Sequence, residues 1–434
     1  MRRIIFIATL ILMMGHVSMA EEIKNYNLHI SKDYQEAANL HVSCIFSLDF
    51  QDKDSVSMNL GGGQEFSIDN LRIDNKMYEY EYNQKSKKIV FHKKQKQTVR
   101  ISMDYDYTNL SAFFIYGKGD TELWETSFGE YFYPYVPNTF MDVALNVETP
   151  DSLSFICSYP LESDNTTRYS GKLNHILSQS LTLAFIRNQA YQRTEEYIPG
   201  KLSIYQIKDM QCDKERYDEL IKLTEAAIAF FSRIYREDYI SKKRNVTAFP
   251  VYLFHNGKGF SNRYNIGFIS ASQEKFSTYP DIYPLIHEIG HRWLGEWTLL
   301  IDDGQPGAYF IKETLNEFMT LMFIRHFYGA LTYSKQLDWC RTEYEKIKDT
   351  PQDEPILNVV VNNNNTIVYR KGPLVLERIA KEIGYEELMK IISDFYRRHA
   401  GKHPLKYTDF IDMLNDSHTG VGDQLNYLLN TKSL

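Results

Sequence analysis

The chain is poor in cysteine. Only Cys44, Cys157, Cys212 and Cys340 occur in 434 residues, and no two are spaced as Cys-x-x-Cys. A metal site built on sulfur is therefore not expected. Nor is there any excess of positive charge: 49 Lys and Arg face 56 Asp and Glu, with no basic run. That balance argues against nucleic acid as a partner. Beyond residue 20 no apolar stretch approaches the roughly 20 residues that a helix needs to cross a bilayer, so no transmembrane segment is expected in the mature chain. Internal repeats and long low-complexity tracts are absent, and Asn362–Asn365 is only a short polar loop. The glycine run Gly61-Gly62-Gly63 lacks the Lys-Ser/Thr of a phosphate loop and reads as a turn.

The first residues do carry a signal. Arg2 and Arg3 precede an apolar run from Ile4 to Met14, and Ser18-Met19-Ala20 supplies a small-x-small cleavage pattern before acidic residues. This is the pattern of a secretory signal peptide over 1–20, with the product exported to a periplasm or secreted. The apolar run is too short for a membrane anchor.

Aromatic residues are abundant, with 32 Tyr and 25 Phe, which suits sheet surfaces and large cores. Leu40, Val42, Cys44, Phe46, Leu48 and Phe50 alternate with mostly polar residues, as do Ile101, Met103, Tyr105 and Tyr107. Period-two alternation predicts strands with one buried face, and their number over residues 21–200 suggests a β-sandwich. Cys44 falls on the apolar face and reads as a buried thiol. After about residue 200 the period changes. Leu220, Leu223, Ala227, Phe230 and Ile234 recur at three- and four-residue intervals, which predicts an amphipathic helix. Pro250–Phe254 reads as a strand. Ile282–Trp297, Ile311–Tyr328 and Val375–Arg398, broken near Gly384, read as helices. The expectation is an α+β chain of two domains, 21–200 and 201–434.

The helix over 282–297 contains His287-Glu288-Ile289-Gly290-His291. Two His four residues apart lie on one helical face and can bind one ion, and the adjacent Glu288 can take a proton from water. A helix with two surface His and a Glu is the plain alternative. A zinc centre of this type needs a third protein ligand and leaves one position open. Asp302, Asp303, Glu313 and Glu317 are available downstream. Glu313 and Glu317 stand one turn apart on the next helix; either could reach the metal, and the other could fix the tautomer of a ligating His.

From His287 to Tyr328 the sequence resembles the membrane alanyl aminopeptidase family of zinc metallopeptidases, bacterial exported members among them. His287-Glu-Ile-Gly-His291-Arg-Trp-Leu-Gly295 is similar to its His-Glu-x-x-His-Gln-Trp-x-Gly. Glu313-Thr-Leu-Asn-Glu-Phe-Met-Thr-Leu-Met is similar to Glu-Thr-Leu-Ala-x-Tyr-x-Ala-Leu-Met of many bacterial members, and the resemblance selects Glu313 over Glu317 as the third ligand. Tyr369-Arg370-Lys371-Gly372-Pro-Leu-Val-Leu376 resembles the family's Tyr-x-Lys-Gly-x-x-Val-Leu, whose Tyr donates to the oxyanion of the tetrahedral intermediate; a phenol suits that role. The resemblance covers residues 200–415. It implies a thermolysin-like catalytic domain, one Zn²⁺ per chain held by His287, His291 and Glu313, and catalysis by Glu288 and Tyr369 on a peptide or protein substrate.

One motif departs. Exopeptidases of the family carry Gly-x-Met-Glu-Asn ahead of the zinc helix, with the Glu gripping the substrate's α-amine. Here Ser261–Gly267 aligns there and Tyr264 stands in place of the Glu. An uncharged phenol cannot make that ion pair; Glu274 is a possible substitute. The chain also ends without the long helical domain of larger members, so a more open cleft is expected. Aminopeptidase-like hydrolysis is the leading expectation. An open-cleft endopeptidase and a non-enzymatic exported binding protein with a structural zinc are the alternatives.

Overall fold

A computed structural model describes residues 23–432 except 33–39, 62–66, 95, 108–112, 117–122, 127–131, 138, 164–166, 179–180, 182, 197–201, 209–213, 242–250, 256–262, 266–267, 273–282, 296–298, 300, 302–303, 360–363 and 403–404. The leader over 1–20, Asp302, Asp303, Glu274 and Cys212 lie outside the described residues.

The first half is built of strands. An eight-stranded sheet centres on Ile23–Lys32, Leu40–Asp49 and Thr98–Tyr107, with Phe140–Glu148 running parallel to the first of these and the other pairs antiparallel. A three-stranded sheet and a four-stranded sheet accompany it. The alternation read in the sequence is the burial pattern of the strands. Leu40, Val42, Cys44, Phe46, Leu48 and Phe50 are buried, and so are Ile101, Met103, Tyr105 and Tyr107. Cys44 pairs with Met103 across the Leu40–Asp49/Thr98–Tyr107 ladder, so both point to the same core. Tyr26 and Phe46 stack in that core at 5.1 Å. Cys44, Cys157 and Cys340 are free and buried.

The second half opens on a five-stranded sheet in the order Tyr191–Glu196, Leu202–Ile207, Val251–His255, Phe268–Ser272, Arg263–Asn265. Its three middle strands are parallel and its two edges antiparallel. Tyr191–Glu196 pairs with Leu202–Ile207, so strand pairing crosses residue 200. Eight α-helices belong to this half among the described residues, the first between the sheet's second and third strands: α1 (Lys214–Tyr235), α2 (Tyr283–Gly290), α3 (Leu315–Tyr328), α4 (Ala330–Glu345), α5 (Gly372–Ile383), α6 (Tyr385–His399), α7 (Tyr407–Ser417) and α8 (Val421–Leu429). None is long and apolar enough to cross a membrane. Helix α1 buries Leu220, Leu223, Ala227 and Phe230, with Ile234 at the margin of the core.

Two departures from the sequence reading matter for the site. The helix expected over 282–297 ends at Gly290. Beyond it the chain tightens: Arg292 N–H donates to Ile289 O at 3.1 Å and Trp293 N–H to Gly290 O at 3.0 Å. The His291 ring takes Leu294 O through Nδ1 at 3.1 Å, satisfying a carbonyl that a longer helix would have used. Ahead of α3, Phe310–Thr314 is a π-helical turn in which Leu315 N–H reaches back to Phe310 O. A second π turn, Ile367–Lys371, precedes α5. Single π turns inside helices are rare and concentrate at functional sites.

Candidate metal centre

Helix α2 is apolar, and Leu285, Ile286 and Ile289 root it in the core. That places His287 and His291, both buried, where α2 meets α3. The contact between these helices depends on Gly290: a Cβ there would overlap Asn316 Oδ1, while Asn316 Nδ2 donates to His287 O at 2.8 Å. Behind the second His, Arg292 is fully buried. Its Nε donates to Tyr239 O at 2.6 Å and its Nη2 pairs with Glu237 Oε1 at 3.1 Å. Tyr396 OH donates to the same Glu237 oxygen at 3.0 Å. Trp293 stacks on Tyr235 at 5.7 Å. These contacts hold the turn that carries His291.

The two π turns bring in the remaining groups. Thr314 Oγ1 donates to Val368 O at 2.9 Å, tying one turn to the other. Gly372 allows that approach, since a Cβ there would overlap the Thr314 side chain. Glu313 Oε2 then lies 3.3 Å from His287 Nε2 and 3.3 Å from His291 Nε2. Tyr369 OH donates to the same oxygen at 2.9 Å. One turn further along, Glu317 Oε2 lies 2.7 Å from His287 Nδ1. The His287 ring thus has one carboxylate at each nitrogen. Of the two acids left open by spacing, Glu313 faces the Nε2 atoms and Glu317 the back of the ring.

Two imidazole nitrogens and a carboxylate oxygen, all within 4.8 Å of one another, form a metal-capable group. The donor set fits zinc, whose catalytic sites use three such ligands. Charge supports the fit. Three acids, Glu288, Glu313 and Glu317, surround two imidazoles, so the cluster calls for a cation. Burial would depress His287, yet Glu313, Glu317 and Glu288 together raise it to about 10, so the surrounding acids favour positive charge at this point. Burial would likewise raise Glu313, but His291 and His287 hold it well below the usual carboxylate range. Glu288 is half-buried. Burial lifts its carboxyl above the ordinary range against the pull of His291 and His287, which suits a proton acceptor. Burial, and then Glu313 and Glu288, hold Tyr369 well above a free phenol, so it stays a donor.

The structure therefore brings His287, His291, Glu313 and Tyr369 to one point. Tyr264 lies on Arg263–Asn265, the edge strand, opposite Ile269; its side chain and residues 261, 262, 266 and 267 are outside the described residues. Sequence reading missed Asn316, Arg292 and Arg370, whose partners lie 29 to 55 residues away.

Residues 270–431 match the peptidase family M1 domain. A search of curated protein sequences finds no significant relative. Among solved structures, the native yeast LTA4 hydrolase superposes with a TM-score of 0.74 at 15% identity, covering 94% of this chain and 66% of the hydrolase. An M1 zinc metallopeptidase from Deinococcus radiodurans superposes with a TM-score of 0.72 at 12% identity, covering 95% of each chain. A second structure of the Deinococcus protein, bound to a Tyr-Ser-Ala substrate, gives the same TM-score. At such identities the likeness is one of fold. The chain spans about two thirds of the yeast hydrolase and nearly all of the bacterial peptidase.

Proposed function

We propose, from the match of residues 270–431 to the peptidase family M1 domain, that the chain is a member of that family and hydrolyses peptide bonds with one zinc ion, in the manner of an aminopeptidase. The convergence of His287, His291 and Glu313, with Tyr369 OH on the same Glu313 oxygen, carries this reading.

His287, His291 and Glu313 would hold the zinc, and Glu317 would fix the His287 ring through Nδ1. Bound there, zinc would supply a Lewis acid that polarises the scissile carbonyl and acidifies the attacking water. Glu288 takes the proton of that water and passes it to the leaving amine. Tyr369 donates its hydroxyl hydrogen to the oxyanion. A structural zinc would be closed by a fourth protein ligand; among the described residues the group has three.

The position of Tyr264 supports a second reading within the same chemistry. With a phenol where exopeptidases of this family keep a carboxylate, peptides without a free α-amine remain acceptable and internal bonds become accessible. Residues 1–20 support an exported protein, since a basic start, an apolar run and a small-x-small end precede the acidic residues.

The test compares the mature protein with Glu288→Gln on free and N-acetylated peptides, with zinc measured in both. The expected result is one zinc per chain in each, with cleavage only in the wild type. Preference for free amines supports exopeptidase action, and equal or internal cleavage supports the second reading. A wild type without zinc overturns both.

A further inference from the structure

Arg370 has no role in the chemistry above, yet it joins two sides of the centre. Its Nη1 donates to Glu317 Oε1 at 3.3 Å and to Tyr369 O at 2.9 Å. Glu317 turns its other oxygen to His287 Nδ1 at 2.7 Å. Tyr369 OH closes on Glu313, which faces His287 Nε2 at 3.3 Å. The contacts run in a circuit: His287, Glu317, Arg370, Tyr369, Glu313 and back to His287. The Arg370 guanidinium also lies 3.9 Å from the centroid of the Trp339 ring on α4. Trp339 is 39% exposed, so this platform stands at the surface while Glu317, at 3%, is sealed inside.

We propose that Arg370, seated on Trp339, is a positioning residue that aims Glu317 at His287 and thereby tightens zinc binding. The terminal torsion of a glutamate is broad. With only His287 Nδ1 as a partner, the Glu317 carboxylate can swing about that torsion and weaken its hold on the ring. A second contact on its other oxygen fixes the carboxylate plane, and with it the ring that presents Nε2. A buried carboxylate also needs its charge met, and Arg370 is a cation that reaches it. A guanidinium suits the position, because it can stack on an indole and point an N–H at a carboxylate at once.

This inference rests on the zinc reading of the site. It is tested by measuring zinc affinity of the full chain in competition with a chromophoric chelator. The proteins are wild type, Arg370→Met, Glu317→Gln, the double variant and Trp339→Leu. Outer-shell partners of ligating histidines typically change metal affinity 10- to 100-fold, so Arg370→Met is expected at the low end, about 10-fold weaker. Loss of the ring platform is expected to weaken binding by about 3-fold. The decisive comparison is the cycle. If Arg370 acts through Glu317, the double variant binds zinc no more weakly than Glu317→Gln alone. Arg370→Met alone should also lower the zinc-free melting temperature, since it leaves the Glu317 charge unmet, whereas the double variant should melt with Glu317→Gln, which has no such charge; a loss that a merely structural Arg370 causes would repeat in both backgrounds. Unchanged affinity in Arg370→Met overturns the proposal, and so does a loss that repeats in full on top of Glu317→Gln. A wild type that binds no zinc fails the site reading itself, whereas a wild type that binds zinc with Arg370→Met as its equal fails this inference alone.

Discussion

His287 carries Glu313 at one nitrogen and Glu317 at the other. Spacing alone could say only that both acids lay on one helical face. The division of labour between them depends on how α3 and its π turn approach α2, which is a tertiary fact. His287, Glu288 and His291 were legible because their chemistry is written in five consecutive residues. Tyr369 was legible through its flanking Lys-Gly, and Arg370 was not, because its partner Glu317 is 53 residues away in sequence. At this scale the sharpest expectation concerns Tyr369. Its hydroxyl reaches Glu313 Oε2 at 2.9 Å and stays protonated. Losing an oxyanion donor costs about 100- to 1000-fold in rate. Tyr369→Phe should show that drop in kcat with zinc content unchanged. Steady-state kinetics beside metal analysis checks it; zinc loss or undiminished turnover removes Tyr369 from the proposed chemistry.

At the scale of elements, helix positions were largely readable from their 3.6-residue period, but the two π turns were not. A π turn inserts one residue without altering the apolar pattern enough to be seen, and both occur where a site group must be re-aimed. The end of α2 was misjudged for a related reason: apolar residues continue through Leu294, but after Gly290 the backbone turns to three-residue hydrogen bonds, Arg292 N–H to Ile289 O and Trp293 N–H to Gly290 O. The π turns meet at Thr314 and Gly372, where no Cβ can be added without displacing Thr314. Gly372→Ala should therefore separate the turns and shift Tyr369 relative to Glu313. A misplacement of about 1 Å can cost about 100-fold in rate, so kcat is expected to fall by about that factor. Zinc, held by residues of α2, the turn that follows it and the first π turn, should be retained. Thr314→Ala in the same chain makes room for the new methyl and should restore part of the activity. Full activity in Gly372→Ala alone would show that the contact between the turns does not set the geometry.

For the molecule as a whole, the sequence announced a strand-rich first half and a helical second half, and both are present. It did not announce the strand order, because the same alternation fits many pairings. Nor did it announce that a buried apolar core runs from the sheets of the first half through the helices of the second. A further cluster, including Ile156, Ala184, Ile186, Tyr205 and Leu253, joins the four-stranded sheet to the five-stranded one. From continuity of this kind the two halves are expected to unfold as one cooperative unit, and zinc offers a way to test it. At a free concentration about 1,000 times its Kd, a ligand stabilises the folded state by about 4 kcal/mol. An unfolding entropy of about 2.1 cal/mol/K per residue spreads that energy over the whole unit that melts. Over roughly 400 residues it corresponds to a shift of about 5 °C, and over the second half alone to about 8 °C. Stripping zinc with a chelator should therefore lower the melting temperature by about 5 °C. In calorimetry the chain should melt in one transition that moves as a whole, and restoring zinc should move it back. A second transition that stays in place while another falls by more than about 5 °C would show that the shared core does not couple the halves.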